Sequence, residues 1–291
     1  SPKVRSFHCV VTMSLSFASG WQRSPPYPEG NCSTLGHVIS VVTIVKEDLH
    51  GFIRTRQSLE QQSFDMWEHI VVPASAEDSV SLYLGDLRQD RTTIQVQEGR
   101  GIYSAMNQGL AAATQEFVVF LNAGDLFATE NTLEIVSGHL VNEDSDWSIF
   151  GGYVEGVKGR IAVHPVPNPQ PWLVGCGRAN IMHPSVYYRR SFLLELAGYN
   201  ESYNIAADLE LNMRALATAR PTVTDIPVSV FFADGVSSTQ VFRSINEARR
   251  ARSAVMGTSP FTVIASVMWF GYQLVRVAVA RSLSGAFRGR Q

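Results

Sequence analysis

The sequence is poor in cysteine for its length, and this excludes two kinds of crosslinked scaffold. Its 291 residues contain three cysteines, Cys9, Cys32 and Cys176. The number is odd and the C-x-x-C spacing is missing, so neither a disulfide framework nor a zinc site is expected. A chain of this length buries a full hydrophobic core without such crosslinks. We therefore expect a folded protein in a reducing compartment.

Charged residues are also scarce, and acidic ones are missing from the end of the chain. Charged residues make up 17% of the sequence and hydrophobic residues 45%, a balance that excludes extended disorder for most of the chain. No acidic residue follows Glu247, whereas seven arginines do. The residues up to Glu247 therefore carry a net negative charge, and the basic end indicates an anionic surface as partner. Because these arginines alternate with aliphatic residues, nucleic-acid binding is not expected.

Two terminal segments lack the periodicity of a folded core. Residues 1–36 contain proline and glycine turns and are predicted to be an N-terminal extension that is poorly ordered. Residues 241–291 are predicted to be a basic, apolar helical tail, in which Arg252 and Arg276 enclose an uncharged stretch. This stretch fits a helix in the headgroup region of a membrane, a helix packed on the body or on a partner subunit, or a membrane span. The first is favoured, because interfacial aromatic residues and flanking arginines suit anionic lipids.

In the region between them, residues 37–240, predicted strands alternate with predicted helices. Val38–Val45 is a β-branched run typical of a strand buried on both faces of a parallel sheet. Asp48 then opens a helical pattern, and Ile70–Val72 completes a βαβ unit. Further strands are predicted at 92–96, 117–121 and 147–150, and further helices at 103–114 and after a capping Thr129. The sequence therefore predicts an α/β fold with a doubly wound, mostly parallel central sheet.

A first candidate carboxylate follows one of these predicted strands. Asp125 comes directly after the apolar run Phe117–Leu121, and the carboxyl ends of parallel strands form the ligand-binding edge of an open sheet. Beside the small Ala123 and Gly124, it can approach a divalent cation that holds a diphosphate. The alternative is a simple turn from Asn122 onward, in which the carboxylate accepts backbone hydrogen bonds.

A second candidate carboxylate, Asp208, stands at the start of a helical pattern. The apolar stripe of this helix is Leu209, Met213 and Leu216. A carboxylate in such a position caps the helix and interacts with its dipole, or it acts as a general base towards an acceptor hydroxyl. The residues alone leave both roles open.

Seven segments, in order along the chain, resemble family 2 glycosyltransferases of the GT-A fold. They are Val38–Val45, Gly101–Gly109, Phe120–Asp125, His183–Arg189, Gly198–Tyr203, Ala207–Leu211 and Gly235–Ser237. The resemblance implies a Rossmann-like GT-A domain over residues 37–240. It also implies an inverting hexosyltransferase that moves a sugar from a nucleotide-diphosphate sugar to a hydroxyl of a glycan or lipid-linked acceptor. Such enzymes use a divalent cation, Mn²⁺ or Mg²⁺, across the two phosphates.

The resemblance also implies roles for individual residues. Asp125 corresponds to the last aspartate of the DxD-type motif, which helps to bind the metal, and Asp208 to the general base of the ED-type motif. Asp234 is a further candidate metal ligand. Five residues are candidates for contacts with the donor: Arg100, Tyr103, Asn107, Asn122 and His183.

These candidate donor contacts have alternatives. Arg100, Tyr103 and Asn107 can also be polar groups at a helix start and core packing. His183 is a candidate for contact with the diphosphate or the acceptor, and its alternative is a hydrogen-bonded structural histidine.

The chain departs from the family pattern at three positions. Pro73 follows the second strand where relatives usually carry an aspartate that recognises the nucleotide base, Ser104 replaces an aspartate, and Ala206 replaces the glutamate of the ED pair. A second hypothesis follows from these departures: a catalytically degenerate GT-A module that binds a nucleotide sugar or a partner glycosyltransferase without turnover. For the active enzyme, the expected location is cytoplasmic, peripheral to the cytoplasmic face of a membrane, and a homo-oligomer is compatible with a tail that packs on a partner subunit.

Overall fold

The structure is a computed structural model. It describes residues 39–85, 91–143, 145–156, 159–179, 181–232, 241–257 and 271. The predicted extension at 1–36, the candidate metal ligand Asp234 and most of the predicted tail lie outside these residues.

Strands and helices alternate along the described chain. The strands are β1 (Ile39–Val45), β2 (Trp67–Pro73), β3 (Thr92–Ile94), β4 (Phe117–Phe120), β5 (Leu126–Phe127), β6 (Trp147–Gly156), β7 (Gly159–Val163), β8 (Val186–Arg189) and β9 (Thr222–Phe232). The helices are α1 (Leu49–Glu60), α2 (Ser79–Gly85), α3 (Ile102–Ala112), α4 (Thr132–Asn142), α5 (Pro171–Gly175), α6 (Arg190–Glu195), α7 (Ala207–Thr218) and α8 (Val241–Met256). A 3-10 turn, His183–Ser185, precedes β8.

One sheet carries all of these strands, in the order β3-β2-β1-β4-β8-β6-β9-β5, with β7 paired to β6. The strands from β3 to β4 are parallel, as the βαβ pattern predicts. Beyond β4 the sheet is mixed, because β8 runs antiparallel to β4 and β6, while β6 and β9 are parallel. The predicted α/β class with a doubly wound, mostly parallel central sheet is confirmed.

The sheet is covered on both faces, and alternate residues of β4 contribute to two different cores. Val118 and Phe120 pack with residues of α3 and α7. Phe117 and Val119 pack on the opposite face with residues of α1 and α4. This alternation follows from the period of two along a strand. Because both faces of β4 are buried, all four of its residues are apolar.

The first helix begins where the sequence predicts, but α4 does not. Asp48 caps α1, since its Oδ1 accepts a hydrogen bond from Gly51 N at 2.8 Å. The prediction that Thr129 caps α4 is wrong, because the N-cap residue is Asn131. Thr129 belongs to the turn before the helix, where its backbone N–H donates to Thr132 Oγ1 at 3.0 Å.

The described part of the predicted tail is a helix that packs on the body. In α8, Glu247, Ala251 and Arg252 are buried, and Ala251 belongs to the same core as residues of α3 and α7. Residues 241–257 thus pack on the body, whereas most of the uncharged stretch between Arg252 and Arg276, to which the three alternatives refer, lies outside the described residues. Among the described residues, no helix has both the length and the apolar character needed to cross a bilayer.

Candidate functional site

The loop from Asn122 to Asp125 lies at the carboxyl end of β4. Ala123 N donates to Ile44 O at 3.3 Å, so the loop begins alongside the last residues of β1. Gly124 has a φ of +99°, a conformation that favours glycine, and Asp125 N closes the turn on Asn122 O at 3.0 Å. Asp125 is therefore presented at the edge where ligands of open α/β sheets bind.

Thr55 of α1 fixes this loop from inside the protein. Its side chain is buried, and its hydroxyl accepts a hydrogen bond from Gly124 N at 2.9 Å. The same hydroxyl donates to the backbone oxygen of Asp125 at 2.8 Å. A single hydroxyl thus holds the backbone N–H of Gly124 and the backbone carbonyl of Asp125. The resemblance to known enzymes did not indicate this residue, because the contact joins residues about 70 positions apart.

The carboxyl group of Asp125 is desolvated. Asp125 is 6% exposed, and this burial raises the pKa of its carboxyl to about 7. A hydrogen bond from the backbone N–H of Phe232 opposes the rise. Nearby, Asn122 Oδ1 is buried and has no hydrogen-bond partner among the residues that the structure describes. A divalent cation would hold Asp125 in its ionised form and use an oxygen ligand of this kind.

These two residues fit a cation that is shared with a substrate. The described residues contain no group of three or more histidine, cysteine, aspartate or glutamate side chains that could hold a metal alone. Mg²⁺ and similar ions are commonly bound by one or two carboxylates together with substrate phosphates and water. Asp125 and Asn122 match that pattern; Asp234 lies outside the described residues.

Asp208 is the second residue of α7 and is half-buried. The N-cap position falls to Ala206, which makes no side-chain capping bond, so the capping role considered for Asp208 is not the one observed. The hydroxyl of Tyr103 donates to Ile205 O at 2.6 Å and lies 3.4 Å from Asp208 Oδ1. Burial, and then the charge of Asp208, raise the pKa of Tyr103. Tyr103 therefore remains a hydrogen-bond donor beside this carboxylate.

An aromatic cluster of Tyr103, Phe120, His183 and Tyr199 connects Asp208 to β4. The rings of Tyr103 and Tyr199 stack at 5.5 Å, and Phe120 meets Tyr199 edge-on at 5.0 Å. His183 lies 5.8 Å from Phe120, and its Nε2 is 2.9 Å from the Tyr199 hydroxyl. Phe120 is the last residue of β4, so this cluster fixes the start of α7 relative to the strand that leads to Asp125.

One of the two roles considered for His183, that of a hydrogen-bonded structural histidine, is observed. Burial lowers the pKa of His183, and the nearby Asp208 carboxylate opposes this shift. Its imidazole is therefore neutral near neutral pH, with one nitrogen engaged by Tyr199. A structural hydrogen bond is observed, and contact with a substrate stays a prediction.

Asn107 of α3 secures the loop that contains Tyr199. Its Nδ2 donates to Tyr199 O at 2.8 Å and to Glu201 Oε1 at 2.9 Å, while its Oδ1 accepts from Tyr199 N at 2.8 Å. Gly198 has a φ of +61°, and a Cβ there would lie 2.5 Å from Asn107 Oδ1. The amide of Asn107 therefore has a structural role, since its nitrogen and its oxygen both bind other groups of the protein. Its contact with the nucleotide-sugar donor stays a prediction.

A cavity of about 230 Å³ opens between the start of α3 and the loop before α7. Its lining includes Arg100, Tyr103, Ser104, Glu201 and Arg243. Ligand pockets commonly measure roughly 300–1,000 Å³, so this space suits a part of a substrate, such as a sugar or a phosphate. Arg100 and Tyr103, two of the candidate donor contacts, line this cavity together with Arg243 of α8, which the sequence did not indicate.

The end of β2 is occupied by backbone contacts. The carbonyl oxygen of Pro73 accepts a hydrogen bond from Gln97 N at 2.9 Å. Asp78, the next aspartate along the chain, is buried and uses its carboxylate on Glu47 N at 2.8 Å and Val80 N at 2.9 Å. Pro73 has no carboxylate, and that of Asp78 is occupied by backbone N–H groups. Neither residue therefore offers a carboxylate for recognition of a nucleotide base.

The predicted residues fall into two neighbourhoods. Asn122 and Asp125 lie in the loop after β4. A second group surrounds the starts of α3 and α7 and consists of Arg100, Tyr103, Asn107, His183 and Asp208. Phe120, which leads into the first and packs against the second, joins the two.

A family model described as Glycosyl transferase family 2 matches residues 40–191. The match covers more than half of the chain, runs from β1 into α6, and includes Asp125 but not Asp208.

Curated relatives support the same family. An uncharacterized glycosyltransferase from Mycobacterium tuberculosis is 27% identical over 209 residues, which cover 70% of this chain and 79% of the relative. A PGL/p-HBAD biosynthesis glycosyltransferase from Mycobacterium bovis is 22% identical over 169 residues, which cover 55% of this chain and 62% of the relative.

Solved structures share the fold at low sequence identity. Residues 1–349 of S. aureus TarS in complex with UDP-GlcNAc match with a TM-score of 0.61 and 16% identity, over 77% of this chain and 69% of that chain. Mannosyltransferase PcManGT from Pyrobaculum calidifontis, in complex with GDP-Man and Mn²⁺, matches with a TM-score of 0.58 and 16% identity. The match covers 90% of this chain and 79% of that chain. These similarities confirm the predicted GT-A fold.

Proposed function

Because the chain belongs to glycosyltransferase family 2, we propose that it transfers a sugar from a nucleotide-diphosphate sugar to an acceptor hydroxyl, with inversion at the anomeric carbon. The observation that carries this proposal is a pair of carboxylates on one scaffold. Asp125 is desolvated at the carboxyl end of a parallel strand, and Asp208 begins a helix beside the aromatic cluster. The first has the environment of a diphosphate site and the second that of a general base.

In this proposal, each carboxylate has a separate task. Asp208 accepts the proton of the acceptor hydroxyl as that oxygen attacks the anomeric carbon. Tyr103 supports this carboxylate through the backbone, because its hydroxyl donates to Ile205 O at 2.6 Å and lies 3.4 Å from Asp208 Oδ1. Asp125 and Asn122 would hold Mn²⁺ or Mg²⁺, which would supply positive charge to offset that of the leaving diphosphate. Thr55 keeps Asp125 in place during this step.

The donor class is supported by proteins of the same fold. TarS binds UDP-GlcNAc, and PcManGT binds GDP-Man with Mn²⁺. We propose that this chain likewise takes a uridine or guanosine diphosphate sugar with a divalent cation. The backbone contacts at Pro73 and the buried Asp78 mean that groups other than an exposed aspartate recognise the base.

For the acceptor, we propose a glycan or a lipid-linked sugar, used by a cytoplasmic enzyme at the inner face of a membrane. The arginines that follow Glu247, apart from the buried Arg252, support attraction to anionic lipids. The full chain should therefore sediment with vesicles that contain an anionic lipid and lose this binding at high salt. Equal binding to neutral vesicles would contradict the electrostatic part of the proposal.

The donor site is tested by thermal unfolding with a panel of nucleoside diphosphates, with and without Mn²⁺. A ligand at 100 times its dissociation constant adds about 2.7 kcal/mol of stability. One diphosphate is expected to stabilise the wild type only with metal and to have no effect on Asp125→Ala. Asp65→Ala, at an exposed side chain, is the matched control and should respond like the wild type.

Turnover is tested by release of the nucleoside diphosphate from the matching sugar donor. Asp208→Asn should bind the donor as well as the wild type does and lose about 10²–10⁴-fold in rate. Binding by the wild type without any release would contradict the enzymatic proposal and support the non-catalytic module instead.

A further inference from the structure

We propose that Glu247, on α8, is a positioning residue that fixes the loop before α7 and thereby sets the orientation of Asp208. This inference rests on the proposed function, since it gives the C-terminal helix a part in that reaction. Sequence patterns placed Glu247 outside the catalytic domain, and the family match ends at residue 191.

The backbone amides directly before α7 all point to one side-chain oxygen. Glu247 Oε2 accepts hydrogen bonds from Asn204 N at 2.9 Å, Ile205 N at 2.8 Å and Ala206 N at 3.2 Å. Three successive amides around one anion form a backbone nest. Because Ala206 offers no side-chain cap to the helix, this carboxylate is the group that anchors the entry into α7.

The carboxylate is buried and remains charged. Glu247 is 3% exposed, and Arg243 Nε lies 3.3 Å from its other oxygen, Oε1. Desolvation raises the pKa of Glu247, but the backbone hydrogen bonds of Ile205, Asn204 and Ala206 outweigh it, so the pKa lies below its usual value. Hydrogen bonds to an ionised acceptor are roughly twice as strong as those between neutral groups.

Ile205 is held from both directions. Its N–H donates to Glu247, and its carbonyl oxygen accepts from the Tyr103 hydroxyl at 2.6 Å. Asp208 follows three residues later, within the first turn of a regular helix. Because the backbone of a helix is rigid, the position of its first turn follows from the position of the residues directly before it. The position of Asp208 therefore depends on both Glu247 and Tyr103, which hold Ile205.

Glu247 is itself placed by the packing of α8. Ala251, one helical turn later, is fully buried in the core shared with α3 and α7. The same face of α8 therefore supplies both the packing and the anchor. The helix at the start of the predicted tail becomes a part of the catalytic unit.

The positional part of the inference is tested by hydrogen exchange, which does not require turnover. In Glu247→Ala, the amides of 204–206 should exchange about ten- to hundred-fold faster than in the wild type. Glu247→Gln keeps a neutral acceptor of the same shape and should give an intermediate rate. Asn246→Ala, at an exposed neighbouring position, is the matched control. Unchanged exchange at 204–206 in Glu247→Ala would overturn the inference.

The catalytic part is tested by comparing kcat with nucleotide affinity well below the unfolding temperature. Glu247→Ala should lower kcat by about ten- to hundred-fold, with unchanged affinity for the nucleoside diphosphate and partial recovery in Glu247→Gln. A kcat equal to that of the wild type, or a parallel loss of kcat and affinity, would overturn it. Absence of turnover in the wild type would instead contradict the proposed function, while the exchange experiment still decides whether Glu247 holds the loop.

Discussion

Replacement of Asp125 by asparagine is expected to stabilise the metal-free protein at neutral and alkaline pH. Burial raises the pKa of this carboxyl from 3.8 to about 7, so the folded state keeps a proton that the unfolded chain has already released. A raised folded-state pKa contributes stability that is fully present below the unfolded pKa. That contribution is lost as the pH rises from about 4 through about 7. Asparagine is neutral throughout and avoids the loss.

The size of the effect follows from the shift. One pKa unit corresponds to about 1.4 kcal/mol, so the stability advantage of Asp125→Asn should grow by about 2–3 kcal/mol between pH 5 and pH 8. Urea unfolding at four pH values in the presence of a chelator measures it. Asp65→Asn, at a side chain that is 78% exposed, should follow the wild type at every pH.

The wild type should become more stable than Asp125→Asn when the metal and the nucleoside diphosphate are bound. With Mn²⁺ and the matching nucleoside diphosphate, the wild type gains stability and Asp125→Asn does not, because the amide cannot supply the negative charge that the cation needs. An advantage of Asp125→Asn that does not grow with pH would refute the reasoning that Asp125 is a desolvated carboxylate without a counter-charge.

Three further predictions concern the supports of the site. Burial, and then the charge of Arg56, lower the pKa of His69 to about 3, so between about pH 6.5 and pH 3 the unfolded state binds a proton that the folded state does not. The stability of His69→Gln relative to the wild type should therefore rise by about 1.7 kcal/mol from pH 6.5 to pH 5 in urea titrations, and a difference that does not change with pH would contradict this. Thr55→Val should weaken metal-dependent diphosphate binding about ten-fold in calorimetry, and Thr55→Ser should restore it; equal affinities in both would contradict the loop contacts. Tyr103→Phe should lower kcat about ten-fold at unchanged nucleotide affinity, whereas a change confined to affinity would place Tyr103 at the donor only.

The sequence predicts those parts of the molecule that depend on local pattern. The first βαβ unit follows from a β-branched run and an Asp48 cap, and both are observed. The position of Asp125 follows from the end of the apolar run in β4. A strand buried on both faces is apolar throughout, so the first polar residues after it mark the end of the strand.

Contacts between distant residues were not predictable in this way. Thr55 reaches Gly124 over 69 positions, and Glu247 reaches Ala206 over 41. In both cases, a side chain binds backbone groups, which leave no signal in the sequence of the partner segment. Glu247 is distinguished as the last acidic residue before a basic end, but its direction is set by the packing of α8.

The most direct test of the central claim is the anomeric configuration of the first-formed product, measured by proton NMR with the donor that the binding panel identifies. Asp208 as a base that activates the incoming hydroxyl predicts a single displacement, so the product should have the configuration opposite to that of the donor. Retention of the donor configuration would contradict the account, because a single backside displacement by a hydroxyl that Asp208 activates cannot produce it.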